Sequence, residues 1–118
     1  MALIDRTHSK NKPIIALFEP DDGAAHRITR ALVTAGLSPL LLPDPVTHPI
    51  AWQQSCFDAV VFSPFRSMSD AARVTNIVRG IAGDRPVLAL TLDDCAGQRT
   101  AALISGADDA IHGEGDER

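Results

Sequence analysis

The sequence predicts a doubly wound α/β fold, in which helices cover both faces of a parallel sheet. Short, continuously apolar runs recur along the chain, as strands buried on both faces require. Segments with helical spacing of apolar residues separate these runs, and most of the segments end in a glycine. We expect alternating strands and helices joined by right-handed crossovers. The predicted strands occupy residues 14–18, 37–42, 57–62 and 87–90, and a fifth begins at Ala110.

An acidic turn follows the first predicted strand. Glu19 comes directly after the strand, and Asp21 or Asp22 can cap the next helix through a side-chain oxygen. We expect that helix over residues 23–35. Gly36 can end it, because glycine adopts the left-handed conformation of a helix C-terminus at little cost.

Prolines shape the next segment. Pro39 lies within the second apolar run and places that strand at an edge of the sheet, because proline has no N–H to donate. Three more prolines fall within residues 43–49 and allow only a short helix. We expect it over about residues 47–55, with Trp52 as its packing anchor.

The second half contains two further predicted helices. Ser69 or Asp70 can cap the first, which runs to about Ala82 and is followed by a glycine. An aspartate pair at residues 93–94 can cap the second, and Gly106 can end it. The apolar positions of the second helix include Ala101, Leu103 and Ile104.

Composition limits the possible functions. The chain has 118 residues, and we expect a flexible lead-in over residues 1–12 and one domain over residues 13–118. The net charge of −4 argues against a basic face, so DNA binding would require a domain outside this chain. No apolar run approaches the roughly 20 residues of a membrane span. We therefore expect a cytoplasmic protein without membrane contact.

Candidate functional residues lie where the predicted strands end. In parallel sheets flanked by helices, functional groups lie at the carboxyl ends of the strands. These ends carry the turn at residues 19–22, then Ser63, Thr91 and His112. We expect them to share one edge of the sheet.

Two runs resemble a known family. PVLALT at residues 86–91 and SGADDAI at residues 105–111 resemble the C-terminal half of a response-regulator receiver domain, and the resemblance extends over about residues 13–114. It implies the flavodoxin-like, CheY-like sheet of three layers with strand order 2-1-3-4-5. It also implies a phosphoryl switch. In that family an aspartate after the third strand accepts the phosphoryl group, acidic residues after the first strand hold magnesium, and a hydroxyl, a switch aromatic and a lysine complete the site.

Several of these positions hold other residues in this chain. Glu19 matches the first acidic position, and Thr91 matches the hydroxyl. Ser63 replaces the phospho-acceptor aspartate, Ala110 replaces the switch aromatic, and Gly113 replaces the lysine. A serine hydroxyl lacks the charge of a carboxylate nucleophile. We therefore expect a degenerate receiver that works without phosphorylation and is not an enzyme.

The acidic turn has also changed. Pro20 takes the second acidic position, although Asp21 could substitute if the turn bulges by one residue. Asp21 and Asp22 could keep a residual cation site, or they could only cap the helix. With two of three carboxylates lost, we expect no bound metal and no cofactor.

Dimerisation is the expected mode of action. Asp108 and Asp109 lie where DNA-binding response regulators pair acidic with basic residues between subunits, although a plain solvated turn is the alternative. A receiver also has a fifth helix, which we expect to be missing from this chain. An uncovered sheet flank would favour a homodimer.

Two functions from different classes remain open. The first is a signalling domain acting through protein–protein contact or dimerisation, as the N-terminal regulatory part of a winged-helix transcriptional response regulator. Its partner would be a second copy, another protein or an output domain. The second is a small-molecule sensor, with a ligand in the acidic pocket bounded by Glu19, Ser63 and Thr91.

Overall fold

The computed structural model describes residues 12–63, 68–91 and 96–112. Strands and helices alternate along them, as the sequence predicts. The elements are β1 (Ile14–Phe18), α1 (Asp22–Thr34), β2 (Ser38–Leu41), α2 (Pro49–Gln53), β3 (Ala59–Phe62), α3 (Met68–Ala82), β4 (Val87–Thr91), α4 (Ala96–Ile104) and β5 (Asp109–His112).

The five strands form one sheet in the order β2-β1-β3-β4-β5, and each neighbouring pair is parallel. The predicted order is confirmed. It places β1 and β3 side by side near the middle of the sheet and leaves β2 at an edge, where Pro39 loses no ladder hydrogen bond. Because all the strands are parallel, their carboxyl ends lie along one side of the sheet, which we call the carboxyl edge. Their amino ends lie along the opposite side, which we call the amino edge.

Helices cover both faces of the sheet. On one face a single core unites β-strand side chains with Trp52 of α2, Val74 and Val78 of α3, and Ala102 of α4. On β1, Ile15 and Leu17 alternate with members of that core, so they point to the opposite face. The buried residues of α1 also lie outside this core, which indicates that α1 covers the second face. No helix in the described ranges is both long and apolar enough to cross a membrane.

The helix boundaries confirm some predictions and correct others. The side chain of Asp21 caps α1, and Gly36 follows that helix with φ +85°. The short helix begins at Pro49 instead of residue 47, because proline favours the first helical position. Helix α3 begins at Met68, so the predicted cap residues Ser69 and Asp70 lie inside its first turn. The predicted cap at residues 93–94 lies outside the described residues.

Helix α4 buries a different face from the predicted one. Leu103 and Ile104 are 41% and 80% exposed, whereas Ala102 is fully buried and Gln98 is almost so. Ala102 joins the core beneath α4, and its small side chain allows close packing against the sheet. The nine residues of α4 are too few for apolar spacing alone to identify the buried face.

Candidate functional site

The register of the sheet brings the first acidic residue beside Ser63. Phe18 at the end of β1 pairs with Phe62 at the end of β3. The ladder continues one step further, because the Ser63 N–H donates to the Phe18 carbonyl oxygen over 2.9 Å. Glu19 and Ser63 thus leave adjacent strands at the same level.

Ser63 and Glu19 form a hydrogen-bonded pair. The Ser63 hydroxyl donates to Glu19 Oε1, and the backbone N–H of Asp21 donates to Glu19 Oε2 over 3.0 Å. Both carboxylate oxygens therefore already accept a hydrogen bond from within the chain. Ser63 is only 3% exposed, so a substrate in solution has little access to its hydroxyl oxygen.

Asp21 serves the helix that follows. Its Oδ2 accepts from the Ala24 N–H over 2.8 Å, which satisfies one of the free N–H groups at the start of α1. Asp22 is exposed in the first turn of the same helix, where its negative charge interacts favourably with the positive end of the helix dipole. Of the two interpretations of this aspartate pair, the geometry supports capping.

Within the described residues, no three histidine, cysteine or acidic side chains lie close enough together to hold a metal ion. Glu19 is the acidic residue that the sequence matches to a receiver's metal site, and its two oxygens accept hydrogen bonds from Ser63 and from the turn backbone. Magnesium prefers several oxygen ligands and near-octahedral geometry. Glu19 alone supplies fewer oxygen ligands than this ion prefers.

The remaining positions of the edge lie on β4 and β5. Thr91 is 1% exposed, and its hydroxyl donates to the Ile111 carbonyl oxygen on β5 over 3.1 Å. Ala110, which the resemblance matches to a switch aromatic, is fully buried in the core. Gly113 lies outside the described residues. The edge thus joins Glu19 with Ser63, while Thr91 bonds separately to β5.

The opposite edge of the sheet contains a charged cluster that includes Asp108. The Arg79 guanidinium donates to Asp108 Oδ2 over 2.7 Å, and the same oxygen accepts from the Val87 N–H over 2.8 Å. These contacts hold the pKa of the Asp108 carboxyl below its usual value, the Val87 hydrogen bond having the larger effect. Asp108 thereby links α3 to the first residue of β4.

Arg79 extends this cluster to three carbonyl groups. Its guanidinium also donates to the carbonyl oxygens of Gly106, Gly83 and Arg85, over 2.9, 2.6 and 2.9 Å. Gly106 has φ +125°, which strains any residue with a side chain, and a Cβ built there would also lie only 3.0 Å from Arg79 Cβ. Asp109, by contrast, is exposed and accepts only from the neighbouring Ala110 N–H among described groups.

Sequence reasoning missed Arg79 and the pairing of Ser63 with Glu19. One signal for Arg79 was available: it lies in the last turn of α3, where an arginine can reach unpaired helix carbonyls. The Ser63–Glu19 pair joins residues that are 44 positions apart, and only the register of β1 against β3 predicts their contact.

Comparisons with known proteins give a consistent fold. A scan against protein-family models finds no match. A search of curated proteins also finds none. Solved structures do match, and several of them are receiver domains.

Three of these structures illustrate the likeness. The receiver domain of Francisella response regulator 1452 superposes with a TM-score of 0.70 at 20% identity, covering 86% of this chain and 84% of that one. A receiver domain of a Pseudomonas aeruginosa sensor histidine kinase, solved with magnesium in its active-site cleft, gives 0.72 at 21% identity over 87% and 86%. An atypical orphan response regulator described as phosphorylation-independent gives 0.67 at 17% identity over 84% and 80%.

These comparisons establish the fold. Sequence identities of 17–21% are low, while the superpositions cover most of both chains. The chain therefore has the flavodoxin-like, CheY-like fold of receiver domains, with the strand order that the sequence predicted.

Proposed function

We propose that this chain is a receiver-like signalling domain that acts without phosphorylation, through contact with a second copy of itself. One observation carries the proposal: at the phospho-acceptor position a buried serine donates a hydrogen bond to Glu19. A carboxylate nucleophile is absent there, and the acidic residue that would help to hold the metal is already engaged. The likeness to a regulator described as phosphorylation-independent supports the same conclusion.

A phosphorylation assay tests this proposal directly. The protein is incubated with magnesium and acetyl phosphate, and its intact mass is measured before and after acid treatment. We expect no phosphoryl adduct, because serine is far less nucleophilic than the carboxylate that the reaction normally uses. A receiver domain with an aspartate at this position serves as the positive control. An adduct on this protein, acid-labile or otherwise, would contradict the proposal.

The proposed contact surface is the β5 edge with the end of α4, which we call the α4–β5 edge. Leu103 and Ile104 on α4 and Ile111 on β5 expose 41%, 80% and 42% of their surface, and β5 is an edge strand of the sheet. Arg99 and Asp109, of opposite charge and both exposed, lie on the same two elements. In a two-fold symmetric dimer, Arg99 of one copy could pair with Asp109 of the other, as a self-complementary interface requires.

Light scattering after size exclusion tests the dimer. We expect a dimer at tens of micromolar protein and a monomer for Ile104→Glu, because a charge would be buried in the interface. Val33→Glu is the matched control, since Val33 is 53% exposed on α1, away from α4 and β5, and should leave the dimer intact. A wild-type monomer at every concentration would refute dimerisation while leaving the phosphorylation result valid.

We further propose that the domain regulates transcription in the cytoplasm, through a DNA-binding domain outside residues 1–118. The resemblance of PVLALT and SGADDAI to DNA-binding response regulators supports this role. A ligand at Glu19, Ser63 and Thr91 is the weaker proposal, because Ser63 and Thr91 are buried and all three side chains already hydrogen-bond within the chain.

A further inference from the structure

A cavity of about 460 Å³ lies between α2 and the C-terminal half of α3. Its volume falls within the range of small-molecule pockets in proteins. Its lining shares no residue with the Ser63–Glu19 edge or with the α4–β5 edge. Six of the lining residues bear on its chemistry: Trp52, Gln53, Ile77, Gly80, Ile81 and Arg85.

Gly80 leaves this cavity open. Glycine is disfavoured inside a helix relative to alanine, yet Gly80 lies within α3. Its φ is not positive, and a Cβ built there would meet no atom within 4 Å. Neither backbone conformation nor close packing therefore requires glycine at this position. What the missing side chain provides is space in the cavity wall.

Arg85 gives the cavity a positive charge. Its guanidinium carbon lies 4.8 Å from the centre of the Phe57 ring, and this stacking fixes its plane. Among the described carboxylates none forms a salt bridge with Arg85, and no aspartate or glutamate lines the cavity. Gln53 adds an amide, while Ile77 and Ile81 are apolar. The lining thus combines a cation with an apolar wall.

We propose that this cavity binds a small organic carboxylate. The Arg85 guanidinium holds the carboxylate, Ile77 and Ile81 contact the apolar body, and the space beside Gly80 admits it. A planar guanidinium matches a carboxylate through two parallel hydrogen bonds, which favours this anion over a halide. The proposal is independent of how the domain signals.

Binding in this cavity can be measured through the fluorescence of Trp52. It is the single tryptophan of the chain, it is 1% exposed, and it packs edge-on against Phe57 at 6.0 Å between ring centres. Titration with phenylacetate should change its emission saturably, with a Kd of roughly 0.1–1 mM. The neutral analogue phenylacetamide should bind at least about 10-fold more weakly, because its amide has no charge and only one acceptor oxygen for the guanidinium.

Substitutions locate the site. Arg85→Gln should reduce phenylacetate affinity to that of phenylacetamide, and Gly80→Leu should abolish binding by filling the space. Arg73→Gln is the control, because Arg73 is exposed on α3 and does not line the cavity. Melting curves confirm that each variant is folded, and Gly80→Leu alone still decides the matter if Arg85→Gln unfolds. No saturable response to phenylacetate, or a response that survives in Gly80→Leu, would overturn the proposal.

Discussion

At the amino edge and the carboxyl edge of the sheet, where the strands begin and end, carboxylates have different hydrogen-bond partners. At the amino edge, Arg79 and Asp108 form an ion pair, and each also bonds to the backbone. At the carboxyl edge, Glu19 accepts from a hydroxyl and a backbone N–H, and no cation joins it among the described residues. The comparison teaches that an ion pair stabilises one edge, while at the other a neutral hydroxyl and a backbone N–H satisfy the carboxylate.

Among these tests, removing Arg79 should lower the free energy of unfolding most. Arg79→Met deletes four hydrogen bonds, so three carbonyl oxygens lose this donor and the Asp108 carboxylate keeps only the Val87 N–H. We expect the free energy of unfolding to fall by about 2–3 kcal/mol in urea denaturation. Arg73→Met on the exposed side of the same helix should change it by less than about 0.5 kcal/mol. Equal effects for both variants would mean that the amino-edge cluster is not stabilising.

Charging the carboxyl edge should have the next largest effect. Ser63→Asp places a second carboxylate beside Glu19 in a buried position, and like charges repel. We expect a loss of about 2 kcal/mol at neutral pH, partly restored at pH values where carboxyls protonate. Ser63→Asn is the size-matched control, since its amide can still donate to Glu19 and should cost less. Equal stability of Ser63→Asp and Ser63→Asn would mean that an added charge does not destabilise the carboxyl edge.

The acidic turn offers a smaller test within the carboxyl edge. Asp21→Ala removes the cap of α1 and should cost about 1 kcal/mol, measured by thermal or urea unfolding. Asp22→Ala removes only a favourable charge in the first turn and should cost a few tenths of a kcal/mol. The reverse ranking would indicate that Asp22, and not Asp21, has the structural role in this turn.

The smallest expected effect is a pH dependence at the amino edge. The pKa of Asp108 is lowered in the folded state, so the group stabilises the fold above the usual aspartate pKa of about 3.9. This stability is lost as pH falls through the lower, folded-state pKa. Its size is limited because the Asp108 side chain is 58% exposed. Asp108→Asn should therefore be less stable than wild type at pH 7 and close to it in strong acid, whereas a constant difference would contradict this account.

Much of the fold could be predicted because its signals are local. Buried parallel strands appear as short apolar runs, and Gly36 and Gly83 mark helix ends where the structure has positive φ. The strand order came from the resemblance carried by residues 86–91 and 105–111, and the structure confirms it. Helix faces were harder, since Leu103 and Ile104 are apolar yet exposed. Burial there depends on what packs against α4, which spacing alone does not specify.

The sequence predicted where in the sheet the candidate site residues lie, but not which side chains contact each other. Glu19, Ser63 and Thr91 do end neighbouring elements at one edge, because parallel strands align their carboxyl ends. The Ser63–Glu19 bond and the Arg79 cluster depend on side chains that meet only after the sheet has formed. Arg79 and Asp108 are 29 residues apart, and no local pattern connects them.

The position of β1 in the sheet also sets an order in time. During synthesis β1 can pair with β2 first, but its other side remains unpaired until β3 has been made. The ribosome adds about 5–20 residues per second, so the interval from the end of β2 to the end of β3 lasts roughly one to four seconds. For that time β1, an interior strand of the finished sheet, is an edge strand. Ala16 and Phe18, which pair with Val60 and Phe62 in the finished core, lack these neighbours until β3 has been made.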